Sequence, residues 1–313
     1  MKVSQAARRV AVIAVAGGAL AVVPSAFANH PVLVEGNCNN AADPMFSPVP
    51  AAGTCGDYDG DGRIGTAEDN DGDRVFGTLT GANTTGTEAT RVNNNGTITV
   101  VTSGLFAETV TLSGNVTLEA AAGVEANVDA LRQGDPGSTA RQARPGIIVD
   151  APANRQVVIR NIQSRNWTSG FQINGASRVA LERVRAEHNV NYGIEIDDNA
   201  KVAISDSEVY ATGRRVNPMT GDFPSAANRP DPGIGIEFDG GSSGTVFFTR
   251  VTGSFRDGVA TNGNVCLALV NIFDNNPNVS GTRAVGTSCI GTNARGGGGG
   301  DDDDDDRDRR RRK

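Results

Sequence analysis

Short segments of the chain repeat one pattern of apolar and polar positions. Each copy has glycine first, an apolar residue second, an apolar residue or Thr fourth, and Asp or Asn fifth. The five copies are residues 146–150, 170–174, 193–197, 235–239 and 258–262. Because successive side chains of a β-strand point to opposite sides, each copy predicts a strand with one apolar side.

A second pattern follows each glycine copy and has apolar residues at offsets zero and two, usually with a third at offset five. The copies are Val157/Ile159/Ile162, Val179/Leu181/Val184, Val202/Ile204 with Ser207 third, Val246/Phe248/Val251 and Val265/Leu267/Val270. From Val157 to Val179 is 22 residues, which is too short for a strand with an ordinary crossover helix. Each unit is therefore predicted to be one turn of a coil, stacked on its neighbours.

Weaker copies at Ile98/Val100 and Val116/Leu118 bring the prediction to about seven rungs. The repeats resemble those of the right-handed parallel β-helix, the superfold of pectate lyases and their relatives, over about residues 95–280. That resemblance implies an all-β fold, a single-stranded parallel solenoid. An antiparallel sandwich would instead show turn signals about every 8 to 12 residues without a longer repeat. The resemblance implies architecture and not chemistry.

The first residues have the pattern of a signal peptide. Lys2, Arg8 and Arg9 precede an apolar run at 10–23, and small residues before Asn29 predict cleavage after Ala28. The expected localisation is secreted, by general secretion or, given the paired arginines, by a twin-arginine route. No later apolar segment has the length of a transmembrane span.

Composition agrees with a β-rich exported protein, since glycine accounts for 40 of 313 residues and turns are rich in Asn, Thr and Ser. Removal of the signal peptide takes away three basic residues and moves the net charge from −7 to −10. Such acidity argues against nucleic acid as a partner. The four cysteines suit disulfides in an exported chain, and the simplest of three pairings is Cys38 with Cys55 and Cys266 with Cys289.

Residues 57–68 fill a twelve-residue calcium loop position by position. Carboxylates at positions one, three, five and twelve, a backbone carbonyl at seven and glycine at six meet the needs of a hard ion with six to eight oxygen ligands. The predicted ligands are Asp57, Asp59, Asp61, Arg63 through its carbonyl, and Glu68. The loop resembles that of an EF-hand or dockerin and implies Ca²⁺ as the cofactor. It departs from those families in having one well-formed copy, preceded by Cys55 and Gly56 in place of a helix.

The domain prediction is a signal peptide at 1–28, a calcium-loop and capping region at 29–95, a parallel β-helix at 96–290 and a disordered Gly/Asp/Arg tail at 291–313. A solenoid has an apolar end that must be covered. We expect Val75, Phe76 and Leu79 to cover the first rung.

Alignment of the glycine copies places one residue of each strand in an outward-facing column. The column contains Ile148, Gln172, Glu195, Glu237 and Ala260. Glu195 and Glu237 are then expected about 5 Å apart on neighbouring rungs, and they are the candidate catalytic pair. Because stacked like charges repel, a cation, an arginine or sugar hydroxyls must compensate. The next column closes the turns, with Asp150, Asn174, Asp197, Asp239 and Asn262 capping backbone amides.

Two insertions, 122–145 and 211–232, are predicted to leave the same face of the coil three rungs apart. Their loops would form the walls of a groove or shield the coil. The candidate substrate-binding residues near this groove are Gln172, Arg214, Arg215, Trp167 and Tyr192, with Tyr210 as a further aromatic. Each aromatic ring could stack on a sugar or pack at a turn.

The resulting function hypothesis is a secreted calcium-binding protein that binds or processes extracellular polysaccharide, as a lyase or a glycoside hydrolase if it is an enzyme. The polygalacturonase set of aspartates with a Gly-His-Gly is absent, because neither His30 nor His188 has glycine on both sides. The pectate lyase set of calcium-binding acids beside an arginine stays open. The alternatives are a structural or adhesive surface protein stabilised by calcium and a calcium-regulated interaction module. We expect a monomer.

Overall fold

The structure is a computed structural model that describes residues 32–36, 75–85, 92–131, 138–175, 177–213, 233–262, 264–273, 275 and 279–280. The predicted signal peptide, the calcium loop and the tail lie outside the described residues. So do Cys38, Cys55, Cys289, Arg214 and Arg215. Cys266 is described and is disulfide-bonded, and its pairing with Cys289 stays a prediction.

The described residues form almost entirely short strands, with a π-helical turn at Gly81–Thr85 and a four-residue helix at Ser138–Arg141. The strands are β1 Val32–Glu35, β2 Val75–Phe76, β3 Asn95–Thr102, β4 Gly104–Phe106, β5 Val110–Leu112, β6 Asn115–Ala120, β7 Ala126–Asp129, β8 Ile147–Asp150, β9 Gln156–Arg160, β10 Ile162–Arg165, β11 Ser169–Asn174, β12 Arg178–Glu182, β13 Arg185–Glu187, β14 Tyr192–Ile196, β15 Lys201–Ser205, β16 Glu208–Tyr210, β17 Ile234–Phe238, β18 Ser243–Phe247, β19 Arg250–Thr252, β20 Val259–Thr261, β21 Asn264–Ala268, β22 Asn271–Phe273 and β23 Val279–Ser280.

These strands form three parallel sheets, and each turn of the coil contributes one strand to each sheet. Within the described residues, sheet A has the order β2-β1-β3-β6-β9-β12-β15-β18-β21, sheet B runs from β4 to β22, and sheet C runs from β5 to β23. The first full rung is β3, β4 and β5, and the seventh is β21, β22 and β23. Over the described ranges the fold is therefore a parallel β-helix of seven rungs, which confirms the predicted fold class and agrees with the predicted rung number.

Apolar residues from all three sheets point inward and form one continuous core. The predicted column Ile159, Leu181, Ile204 is in register across β9, β12 and β15, and each of its side chains is fully buried. No single rung encloses such a residue alone, because its neighbours above and below supply the contacts. Stacking of the rungs is thus the main source of stability.

The sixth rung departs from the predicted pattern. Val246 pairs with Ile204 and so occupies offset two, while Gly244 occupies offset zero opposite Val202. The prediction that Phe248 faces the core is wrong, because its side chain is 57% exposed. A Cβ at Gly244 would lie 2.1 Å from the Val202 carbonyl oxygen and 3.0 Å from the Phe238 ring, so a larger residue there is excluded. The apolar sequence signal is therefore shifted by two positions.

Strands of sheet A turn into sheet B at a corner with one residue in the left-handed region, named here the A–B corner. Its residues are Asn161, Arg183, Asp206, Phe248 and Leu269, with φ between 48° and 55°. Asn and Asp adopt this conformation readily, whereas Arg, Phe and Leu do so at a cost. The corner therefore keeps its geometry even where the sequence opposes it.

The described residues before the first rung extend sheet A and contribute to the core. Strands β1 and β2 pair in parallel beyond β3 and extend sheet A alone. Phe76 and Leu79 are fully buried in the core, and the backbone amides of Leu79 and Thr80 donate to the Glu108 carboxylate at 2.8 and 3.1 Å. Phe76 and Leu79 therefore belong to the same core as the rungs, and the capping role of residues 29–95 as a whole stays a prediction.

Candidate functional site

The outward column on sheet C has the predicted register. Gln172 pairs with Glu195, and Glu195 pairs with Glu237, on the neighbouring strands β11, β14 and β17. Ile148 and Ala260 flank these residues on β8 and β20. Parallel strands lie about 4.8 Å apart, so the two carboxylates are close neighbours on an outward-facing surface.

Hydrogen bonds distinguish the two carboxylates. Glu195 Oε2 accepts from Ser169 Oγ at 2.6 Å and from Gln172 Nε2 at 3.2 Å. These donors favour the ionised form of Glu195. Glu237 instead has a hydrogen bond with the Tyr192 side chain. Tyr192 and Ser169 both lie on sheet C, so one surface positions all five side chains.

The electrostatics of this surface favour one bound proton. Desolvation is the main cause that raises the pKa of Glu237 to about 7. The Tyr192 hydrogen bond lowers this pKa, and the charges of Asp239, Glu195 and Asp197 raise it further. Desolvation also raises the pKa of Glu195 above its ordinary value. The pKa of Tyr192 is raised by burial and then by the charges of the two glutamates. Protonation of Glu237 therefore relieves the repulsion within the pair.

Folding stability is expected to fall as the pH rises from about 4.5 to about 7, because folded Glu237 retains a proton that the unfolded chain has released. This contribution is fully present below the unfolded pKa and is lost as the pH passes the folded pKa. Glu237→Gln should make the protein more stable than the wild type near pH 8 by about 1 to 2 kcal/mol, a value reduced for solvent screening. Urea unfolding of both proteins at two pH values measures the difference. The same pH dependence in both proteins would contradict it.

In the column beside the glutamates, the predicted capping of a turn amide is seen at Asp239. Asp239 Oδ1 accepts from the Gly240 amide at 2.8 Å and from Asn262 Nδ2 at 3.2 Å. Desolvation raises the pKa of Asp197, and the charges of the nearby Asp239 and Asp198 raise it further. These contacts are those of a ladder of turn-capping side chains.

Trp167 is a core residue, so its prediction as a substrate-binding residue is wrong. Its side chain is fully buried, and Nε1 donates to the Val128 carbonyl at 2.9 Å. A Cβ at Gly146 would lie 2.6 Å from the Trp167 ring, so the glycine of that repeat makes room for the indole. No face of the ring is available to stack on a sugar.

The two predicted insertions both connect sheet B to sheet C. The predicted bounds of the first insertion are too wide, because β7 lies within 122–145. The insertion begins only after Asp129. Residues 132–137 and 214–232 lie outside the described part of the chain. The second insertion leaves after β16 and rejoins the coil at β17, three rungs beyond the first. Tyr210 precedes it on sheet B, where its ring packs edge-on against His188 with 5.5 Å between ring centroids.

The sequence pattern did not single out Ser169 or the polar residues of sheet B. Ser169 precedes a repeat glycine and has no distinctive neighbours, so only the register shows that it reaches Glu195. The outward positions of sheet B alternate with buried ones, as in Gln163, Ser164 and Arg165. That period-two signal was present but short, because these strands have only three or four residues.

Over the described ranges, no group of three or more His, Cys, Asp or Glu side chains is arranged to hold a metal ion. A cation between Glu195 and Glu237 therefore receives no support from that arrangement. Among the same residues, no helix is sufficiently long and apolar to span a bilayer.

One family model matches the chain. It is described as a right handed beta helix region and covers residues 137–223. The match includes Glu195 and Gln172 and ends before Glu237. It agrees with the parallel sheets and supplies their right-handed winding, so the chain folds as a right-handed parallel β-helix. A comparison with curated proteins found no match.

Proposed function

We propose that this protein binds and processes an extracellular polysaccharide on the outward face of sheet C. The observation that carries the proposal is the stacked pair Glu195 and Glu237, one held by two donors and the other with a pKa raised to about 7. Two neighbouring carboxyl groups with different environments suit an acid and a carboxylate in one reaction. Parallel β-helices serve many functions, so the fold alone does not carry this proposal.

The arrangement supports glycoside hydrolysis better than elimination. Glu237 would donate its proton to the glycosidic oxygen as the bond to the anomeric carbon breaks. Glu195 would bond to that carbon, and water would then release the sugar while Glu237 takes the water proton. Carboxyl groups about 5 Å apart are typical of such a retaining mechanism. Elimination would need a base such as Arg214 or Arg215, which lie outside the described residues.

The double variant Glu195→Gln with Glu237→Gln tests this proposal on a panel of acidic and neutral polysaccharides. The wild type is expected to release reducing ends from at least one polymer, and the variant to release none. Glu119→Gln, on the outward face of sheet A, is the matched control and should behave as wild type. Unsaturated products would indicate a lyase, and equal activity of wild type and double variant would remove the site from sheet C.

We also propose that the protein is secreted and binds calcium. The charged and apolar order of residues 1–28 supports export, and the carboxylate spacing of residues 57–68 supports a calcium loop. The calcium would order the capping region, and no chemical step on sheet C depends on it.

Chelation of calcium is expected to lower the melting temperature of the processed protein. A ligand at about 100 times its dissociation constant stabilises the folded state by about 2.7 kcal/mol. Differential scanning fluorimetry with calcium and with a chelator measures the shift. Asp61→Asn with Glu68→Gln should melt at one temperature under both conditions, and a wild type insensitive to the chelator would contradict the calcium loop.

The second candidate is a non-catalytic structural or adhesive surface protein. The outward face of sheet A favours it, because Arg160 pairs with Glu182 at 2.7 Å and with Glu119 at 3.6 Å and forms a self-contained charge ladder. A protein of this class would turn over no glycan on the panel.

A further inference from the structure

A groove of about 660 Å³ lies on a different face of the coil, across sheet B and the A–B corner. Its volume is typical of ligand sites, which span roughly 300 to 1,000 Å³. It extends over the second, third and fourth rungs. The polar side chains that line it include Glu125, Asn127, Gln163, Arg165, Arg183 and Glu187.

Most charged residues in the groove form ion pairs, and among the described residues Arg183 and Glu125 are the two without an ion-pair partner. Arg165 Nε donates to Asp129 Oδ2 at 2.5 Å, and Arg185 pairs with both Glu187 and Glu208. Arg183 has no carboxylate partner in the described part of the chain, and its Nε donates to Asn161 Oδ1 at 2.7 Å. The remaining N–H groups of the Arg183 guanidinium are thus available to bind a ligand.

The backbone at Arg183 determines which replacement is compatible with the fold. Its φ of 53° places arginine at the A–B corner in a conformation that favours Asn or Gly. The equivalent positions one rung on either side are Asn161 and Asp206. Phe248 and Leu269 adopt the same conformation at this corner, so asparagine is a replacement for Arg183 that suits the backbone.

Asn127 supplies a second observation. Its side chain lines the groove and is only 4% exposed, yet its Oδ1 has no hydrogen-bond partner among the described residues. A buried acceptor of this kind is costly unless it receives a donor. A ligand hydroxyl can supply that donor once rotation of the amide turns Oδ1 into the groove.

We propose that this groove is a second binding site for an acidic oligosaccharide, separate from the sheet C pair. The site combines amides and carboxylates, which suit hydroxyl groups, with one unpaired guanidinium, which suits a carboxylate or sulfate. A sugar unit with hydroxyls and one anionic group has this combination. A dense polyanion does not fit, because Glu187 and Glu125 also line the groove.

The test uses the full processed chain with Glu195→Gln and Glu237→Gln, so that neither turnover nor the sheet C site contributes. Titration calorimetry with oligogalacturonate and with a sulfated oligosaccharide should show binding to this background. Adding Arg183→Asn should weaken binding about tenfold while leaving the melting temperature unchanged or higher, since Asn suits the corner. The stronger of the two probes identifies the anionic group.

Leu269→Asn is the matched control, because Leu269 has a φ of 52° at the A–B corner of the seventh rung, outside the groove. It should leave binding unchanged. Equal binding with and without Arg183→Asn, or equal binding of a neutral oligosaccharide, would overturn the proposal. Binding to the wild type that disappears in the background variant would overturn it too, and would leave the sheet C site intact.

Discussion

Glu237→Gln is expected to lower the rate of glycan hydrolysis by about a hundredfold or more, since a positioned general acid contributes about 10² to 10⁴. The physical reason is the proton that Glu237 retains near neutral pH. Its pKa of about 7 results chiefly from desolvation, with further contributions from Asp239, Glu195 and Asp197. Glutamine keeps the size of the side chain and cannot give up a proton, so the loss should appear in kcat.

The pH dependence of the rate provides the sharper measurement. Wild-type activity should decline as the pH rises through about 7, where Glu237 loses its proton. The residual activity of Glu237→Gln should lack that limb. Tyr192→Phe removes the hydrogen bond that lowers this pKa, so its limb should move to higher pH. An unchanged limb in Glu237→Gln would assign the proton to another group.

Trp167→Ala is expected to destabilise the fold by about 3 to 5 kcal/mol, the usual cost of removing a buried tryptophan. The ring is fully buried, and its Nε1 hydrogen bond to the Val128 carbonyl joins rungs two and three. The cavity would lie beside Gly146, which has no side chain to fill it. Urea unfolding followed by far-ultraviolet circular dichroism measures the loss.

A conservative change separates packing from recognition. Trp167→Phe retains most of the apolar volume and loses the hydrogen bond, so it should cost less than Trp167→Ala. If the indole instead contacted a sugar, Trp167→Ala would abolish glycan binding and leave the unfolding midpoint unchanged. That outcome would contradict the buried position.

The sequence was sufficient to predict the coil because its repeats record a constraint that every rung shares. An apolar residue such as Ile159 is required wherever a strand faces the core, and a repeat glycine such as Gly146 is required wherever a neighbour approaches closely. The register of Glu195 on Glu237 followed from those repeats, since alignment of the glycines fixes every other position in the strand.

Features specific to one rung were not predictable in the same way. Gly244 replaces an apolar residue because the Val202 carbonyl and the Phe238 ring leave no space for a side chain, and this close approach between neighbouring rungs leaves no local pattern. Trp167 carried no sign of burial, since a lone aromatic residue at a turn suits either the core or the surface. The partners of Glu195 and Glu237 depend on side-chain directions that register alone does not define.

The assignment of the reaction to Glu195 and Glu237 is tested most directly by a crystal structure of Glu237→Gln soaked with an oligosaccharide that the wild type cleaves. The sugar chain is expected to lie on sheet C, with a glycosidic oxygen within hydrogen-bond distance of residue 237 and an anomeric carbon beside the Glu195 carboxylate. An oligosaccharide bound only elsewhere on the coil, with both glutamate positions free of sugar, would contradict the assignment of the reaction to this pair.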